Sequence, residues 1–193
     1  MTYHDHYREL VQYGYCIVKD FLPVTLLTKL CQQRDEILER LPASHREAYK
    51  SQGSLVNFGD YPEFSHLVAL PEIQSLIRGL GFIESRWLAG YLISKPAKSP
   101  PLFWHQDWWG WSHPISYTPR MPGIGILIYL SDTHKNNGCL RVIPGSHRCQ
   151  HPLHALSVAH EEKPYLLWKT PIIPLINRMG WKWRLKSQQA ILC

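Results

Sequence analysis

The sequence predicts an α+β domain in which N-terminal helices buttress a β-sandwich or barrel. Three observations carry this. Apolar residues recur at helical spacing over 24–41, Pro71 and Gly81 bracket a second helical run, and beyond Gly81 short β-prone runs alternate with Pro, Gly and Asn clusters. The chain has 193 residues, 45% hydrophobic and 19% charged, which suits one globular domain with a real core. Eight Trp and ten Tyr serve either that core or a pocket that grips flat or apolar ligands.

Taken in order, Tyr13-Gly-Tyr-Cys-Ile-Val18 has the aromatic and β-branched content of a short strand, followed by Asp20-Phe-Leu-Pro23. Pro23 fits a first helical turn. From there Leu26, Leu27, Leu30, Ile37, Leu38 and Leu41 form one apolar face, predicting an amphipathic helix over 24–41. An irregular segment over 51–61 precedes a second helix, over 72–80, started by Pro71 and ended by Gly81. The β-prone runs are 87–94, 124–130 and 139–143. Asn136-Asn-Gly138 is a tight-turn signal, so 124–131 and 139–143 are expected to pair like a hairpin.

The opening MTYHDHYREL has no apolar h-region, and the longest apolar run, around 124–130, is too short to span a bilayer. Five cysteines without a CxxC read as reduced thiols. A cytoplasmic protein without a membrane segment is therefore expected. The net charge of +6 sits at one end: five of the 21 Lys/Arg fall between Trp168 and Cys193 with no Asp or Glu, leaving sixteen basic against 15 acidic residues before them. A nucleic-acid binder built on Lys169 to Lys186 would use that tail, but the near-neutral remainder argues against it.

Trp104-His-Gln-Asp-Trp-Trp-Gly-Trp111 places an imidazole and a carboxylate two residues apart in the densest aromatic patch. In extended backbone, residues i and i+2 share a face, so His105 and Asp107 can converge on one ion while Gln106 points away. A ferrous site of the two-His-one-carboxylate type needs such a pair plus a second His, leaving positions open for co-substrate and oxygen. A His-x-Asp triplet alone is weak evidence and reads more readily as a surface or hydrogen-bonded pair.

The order and spacing of Tyr91-Leu-Ile-Ser-Lys-Pro96, WHQDW and Asn136-Asn-Gly-Cys-Leu-Arg-Val-Ile-Pro-Gly-Ser-His147 resemble the phytanoyl-CoA dioxygenase family of iron(II)- and 2-oxoglutarate-dependent oxygenases, over residues 20–167. The resemblance implies a double-stranded β-helix (jelly-roll, cupin-like) with helices packed outside. It implies Fe(II), 2-oxoglutarate and O2 as requirements, and a reaction in which decarboxylation of 2-oxoglutarate drives hydroxylation of a C–H bond. His105 and Asp107 then become metal ligands, Tyr91 and secondarily Lys95 co-substrate contacts, and Arg141 and His147 structural residues. Trp104, Trp108, Trp109 and Trp111 either line a substrate mouth or pack the core. If they line it, a small apolar or ring-containing substrate is favoured.

The family's later Ala-Gly-Asp-Leu-Val strand, distal His and 2-oxoglutarate-binding Arg are missing, and the last His is His160. Permissible codons for the tail, read in a shifted frame, spell EDPYYP and later GMEVAVK and PAGDLV. The expected organisation is thus an incomplete family domain over 1–167, its C-terminal strands incomplete, and a basic tail over 168–193 with no periodicity. By family the chain is an enzyme; the missing ligands leave room for an inactive chain, a truncated or frame-shifted pseudoenzyme.

Overall fold

The computed structural model describes residues 2–48, 54–99, 102, 104–108, 110–119, 121–155 and 189–192. Helix α1 (Tyr3–Tyr13) opens the chain. No apolar period predicts a helix there. Its signal was nonetheless present: Thr2 caps the helix, its Oγ1 accepting from the Asp5 amide at 3.3 Å while the Asp5 carboxylate accepts from the Thr2 amide at 2.8 Å. At the other end Gly14 takes the left-handed conformation, φ 82°, and its amide donates to Leu10.

Strand β1 (Tyr15–Val18) and α2 (Val24–Arg40) follow. The apolar face of α2 buries Leu30 and Ile37, and its polar side contributes two anchors: Cys31 Sγ and Arg34 Nη1 both donate to the carbonyl of Leu130, the latter at 2.6 Å. After α3 (Ala43–Ala48) comes β2 (Ser54–Asn57), inside the stretch expected to be irregular. A single turn, α4 (Pro62–Ser65), leads to α5 (Pro71–Gly79), whose expected boundary residues Pro71 and Gly81 hold their roles. Gly81 has φ 86° and donates to Arg78.

The β region is sparser than expected. Strand β3 (Tyr91–Ser94) is the second half of the expected 87–94 run, β4 (Gly125–Leu127) the middle of 124–130, and 139–143 is no strand. The turn at Asn136–Gly138 forms, with Cys139 donating to His134 and Gly138 at φ 83°, yet it closes no hairpin. Instead β4 pairs with β5 (Gln189–Leu192), which also pairs with β1, giving an antiparallel sheet in the order β1-β5-β4. Backbone pairing from both sides outweighs the lack of side-chain period in the tail. A second antiparallel sheet joins β2 and β3, with Val56 opposite Leu92.

Two apolar clusters hold the layers together. Leu22, Leu30, Ile37, Val56, Phe64, Leu67, Ile73 and Leu92 pack α2 and α5 over the β2–β3 sheet. Leu10, Cys16, Leu76 and Leu80, each at most 1% exposed, lock α1 and α5 onto β1. Each such leucine contributes roughly 1.5–3 kcal/mol by leaving water. The architecture is α+β with helices against small sheets. A closed double-stranded β-helix is not formed by the described residues.

Candidate functional site

Residues 104–108 run between β3 and β4 in irregular backbone, not at the end of a strand as expected. Their side chains nevertheless alternate. His105 Nε2 lies 3.3 Å from Asp107 Oδ1, with the imidazole 22% and the carboxylate 76% exposed. Gln106 turns the other way: its Nε2 donates to the carbonyls of Ser146 (2.5 Å) and Cys149 (3.0 Å), and its Oε1 accepts from the amide of His151 (2.9 Å). These bonds engage both the donor and the acceptor of the carboxamide and tie Gln106 to the 146–151 segment. Sequence reasoning treated Gln106 as a spacer, and no local signal marked it out.

The segment that Gln106 holds is fixed from its far side by α1. The last carbonyls of that helix lack intrahelical donors. Gly145 donates to Tyr13 at 2.8 Å, Arg148 Nη2 to Gln12 at 3.0 Å, and His147 Nε2 lies 3.1 Å from the Val11 oxygen. A carbonyl can only accept, so Nε2 carries the proton. Burial holds the His147 pKa below its ordinary range, opposed by the bond to Val11 and reinforced by Arg148. His147 is thus a structural residue against α1.

Arg141 stacks its guanidinium over the Trp104 ring, 5.4 Å from the centroid, an arrangement worth about 0.5–1 kcal/mol where exposed. Of the tryptophans expected at a substrate mouth, Trp104 is half-buried beneath that cation. Trp108 donates from Nε1 to Ser116 Oγ at 2.8 Å and lies against Gly110, where a Cβ would collide with its ring. Trp111 is 6% exposed and belongs to the core. Packing claims Trp111, Trp108 is half-buried with its indole bonded to Ser116, and Trp109 lies outside the described residues.

Tyr91 and Lys95 stand on and just after β3. Tyr91 shares an exposed face with Ile93, and the Lys95 ammonium has its pKa lowered by partial burial. His105 and Asp107 are the two expected ligands that the fold brings together. Among the described residues no group of three or more His, Cys, Asp and Glu is arranged to hold a metal ion. His151 is tethered through its amide to Gln106, and its Nδ1 accepts from Leu153 at 3.2 Å. His160 and residues 156–188 lie outside the described structure.

A family model described as Phytanoyl-CoA dioxygenase (PhyH) matches residues 10–175, beginning earlier and ending later than the resemblance read from the motifs. A protein of Stutzerimonas stutzeri named "Probable alpha-ketoglutarate-dependent hypophosphite dioxygenase" is 27% identical over 155 residues, covering 73% of this chain and 52% of its own length. The chain therefore spans about half the length of the curated relative it matches. No solved structure matches it.

Proposed function

Because the chain belongs to the phytanoyl-CoA dioxygenase family, we propose that it carries part of the site of an iron(II)- and 2-oxoglutarate-dependent oxygenase that hydroxylates a C–H bond of a small molecule. The observation that carries this reading is the pairing of His105 with Asp107 at 3.3 Å, with Gln106 turned to the opposite side. One imidazole nitrogen and one carboxylate on a shared face fit two protein positions of a ferrous centre. A ferrous ion held there would supply coordination positions for 2-oxoglutarate and O2. The chain's own contribution is to hold the His105 imidazole and the Asp107 carboxyl group side by side on a loop that Gln106 ties to the 146–151 segment. The third protein ligand is not furnished by the described residues.

In this reading Tyr91 and Lys95 serve the co-substrate. A phenol hydroxyl can hydrogen-bond a keto acid, and an ammonium on a partly buried stem can pair with its carboxylate. Trp104, carrying Arg141 on its ring, would present an aromatic surface with a cation beside it to the substrate. The relative's name specifies hypophosphite, whereas the tryptophans favour an apolar or ring-containing molecule, so the substrate class follows the tryptophans only as far as Trp104 does. No helix among the described residues is long and apolar enough to cross a membrane.

The test is conversion of 2-oxoglutarate to succinate by the protein with added Fe(II), with and without candidate substrates. Fe(II)-dependent turnover that is lost in His105→Ala supports the reading. The rival reading is a catalytically silent family member, since the described residues bring no third ligand to His105 and Asp107. Fe(II) binding without turnover would favour it, and absence of both would remove the metal site.

A further inference from the structure

We propose that Gln106 is a positioning residue for the metal pair: its side chain, not a strand ladder, sets the directions of His105 and Asp107 by tying their loop to the 146–151 segment. The proposal rests on reading those two residues as metal ligands. Three facts support it. The 104–108 backbone lies in no strand, so the alternation of its side chains needs another cause. The Gln106 carboxamide spends both its functions on one target, donating to Ser146 and Cys149 and accepting from His151. That target is itself braced, because Gly145, His147 and Arg148 are bonded to the last carbonyls of α1.

Neighbouring residues share peptide planes, so tethering the side chain of residue 106 limits the directions open to 105 and 107. Freed of its three bonds, the loop could rotate about its own dihedrals, and the imidazole and carboxylate would no longer be held on one face. Groups behind metal ligands typically change metal affinity by about 10- to 100-fold when removed.

The experiment titrates the full chain with Co(II) alone, whose d–d absorption reports the ligand geometry, in the parent and four variants. Gln106→Ala removes the bonds to Ser146, Cys149 and His151. Gln106→Glu keeps the acceptor for the His151 amide but loses the donors to Ser146 and Cys149, so it still tests the idea if Gln106→Ala does not fold. Ile73→Val, a change in the core on α5, controls for lost stability. His105→Ala controls for the site. Weakening of Co(II) binding by about tenfold or more in the Gln106 variants, with an altered spectrum, is expected. Ile73→Val should lower the melting temperature and leave the spectrum unchanged. Parental affinity and spectrum in a folded Gln106 variant, or an equal change in Ile73→Val, would overturn the proposal. Parental binding by His105→Ala would instead overturn the reading of the site.

Discussion

The His147 ring rests on the backbone of Gly14, so close that a Cβ built at Gly14 would overlap Nδ1 and lie 2.7 Å from Cγ. Two local features meet there: the left-handed glycine that ends α1 and the histidine of the Pro-Gly-Ser-His turn. Gly14→Ala must therefore pay twice, in backbone strain at φ 82° and in steric overlap. The expected loss is about 2–4 kcal/mol, measured by urea denaturation. Adding His147→Ala should recover the steric share, so the double variant should lie closer to His147→Ala than additivity predicts.

His105→Ala and Asp107→Ala should each abolish Fe(II) binding while leaving the melting temperature within a few degrees of the parent. The Asp107 side chain is 76% exposed and carries little packing. Calorimetric titration that finds undiminished binding in both variants would rule this pair out.

Stability should fall on acidification through His147. In the folded protein its pKa is lowered by burial, while in the unfolded chain it returns towards 6.5. The unfolded state then binds more protons, so the contribution is complete above pH 6.5 and declines as pH falls through the unfolded and then the folded value. Denaturant midpoints at pH 7.5 and 5.5 should differ less in His147→Gln than in the parent.

Thiol reactivity should separate the cysteines. Cys16 is 1% exposed, and burial, reinforced by Glu9, pushes its pKa up to about 12, whereas Cys149 is exposed. Iodoacetamide at pH 8 should label Cys149 well before Cys16, because the thiolate is the nucleophile. Peptide mass mapping at short times reads this directly, and equal rates would contradict the packing of β1.

Removing residues 189–193 should leave β1 and β4 without the strand that joins them. Unpaired edges promote self-association. The shortened chain should aggregate at lower temperature than the parent by light scattering, and unchanged aggregation would mean that β5 contributes nothing to the sheet.

Helices α2 and α5 were legible because their signals are local: a run of leucines at helical spacing, Pro71 at the first turn, Gly81 just past the end. Helix α1 went unread: the Thr2–Asp5 capping pair marks its start, but its single buried stripe of His6 and Leu10 is too sparse to register as a period. The strand expected at 139–143 failed because a tight turn fixes only its own four residues. Whether the flanks pair depends on what else reaches β4, and β5 reaches it from 62 residues beyond the last residue of that strand's partner run at 127.

By itself the sequence determined the α+β class, the two main helices, the family and the His105–Asp107 spacing, all of which depend on neighbours within a few residues or on a linear motif. Tertiary structure alone decided that Gln106 holds the 146–151 segment, that this segment caps α1, that Trp108 bonds Ser116 and that Trp111 is buried. The physical reason is range. Periodicity and capping are energies between residues close in the chain, whereas the partners of an amide, an orphan carbonyl or an indole are chosen by whichever distant segment the buried leucines bring within 3 Å.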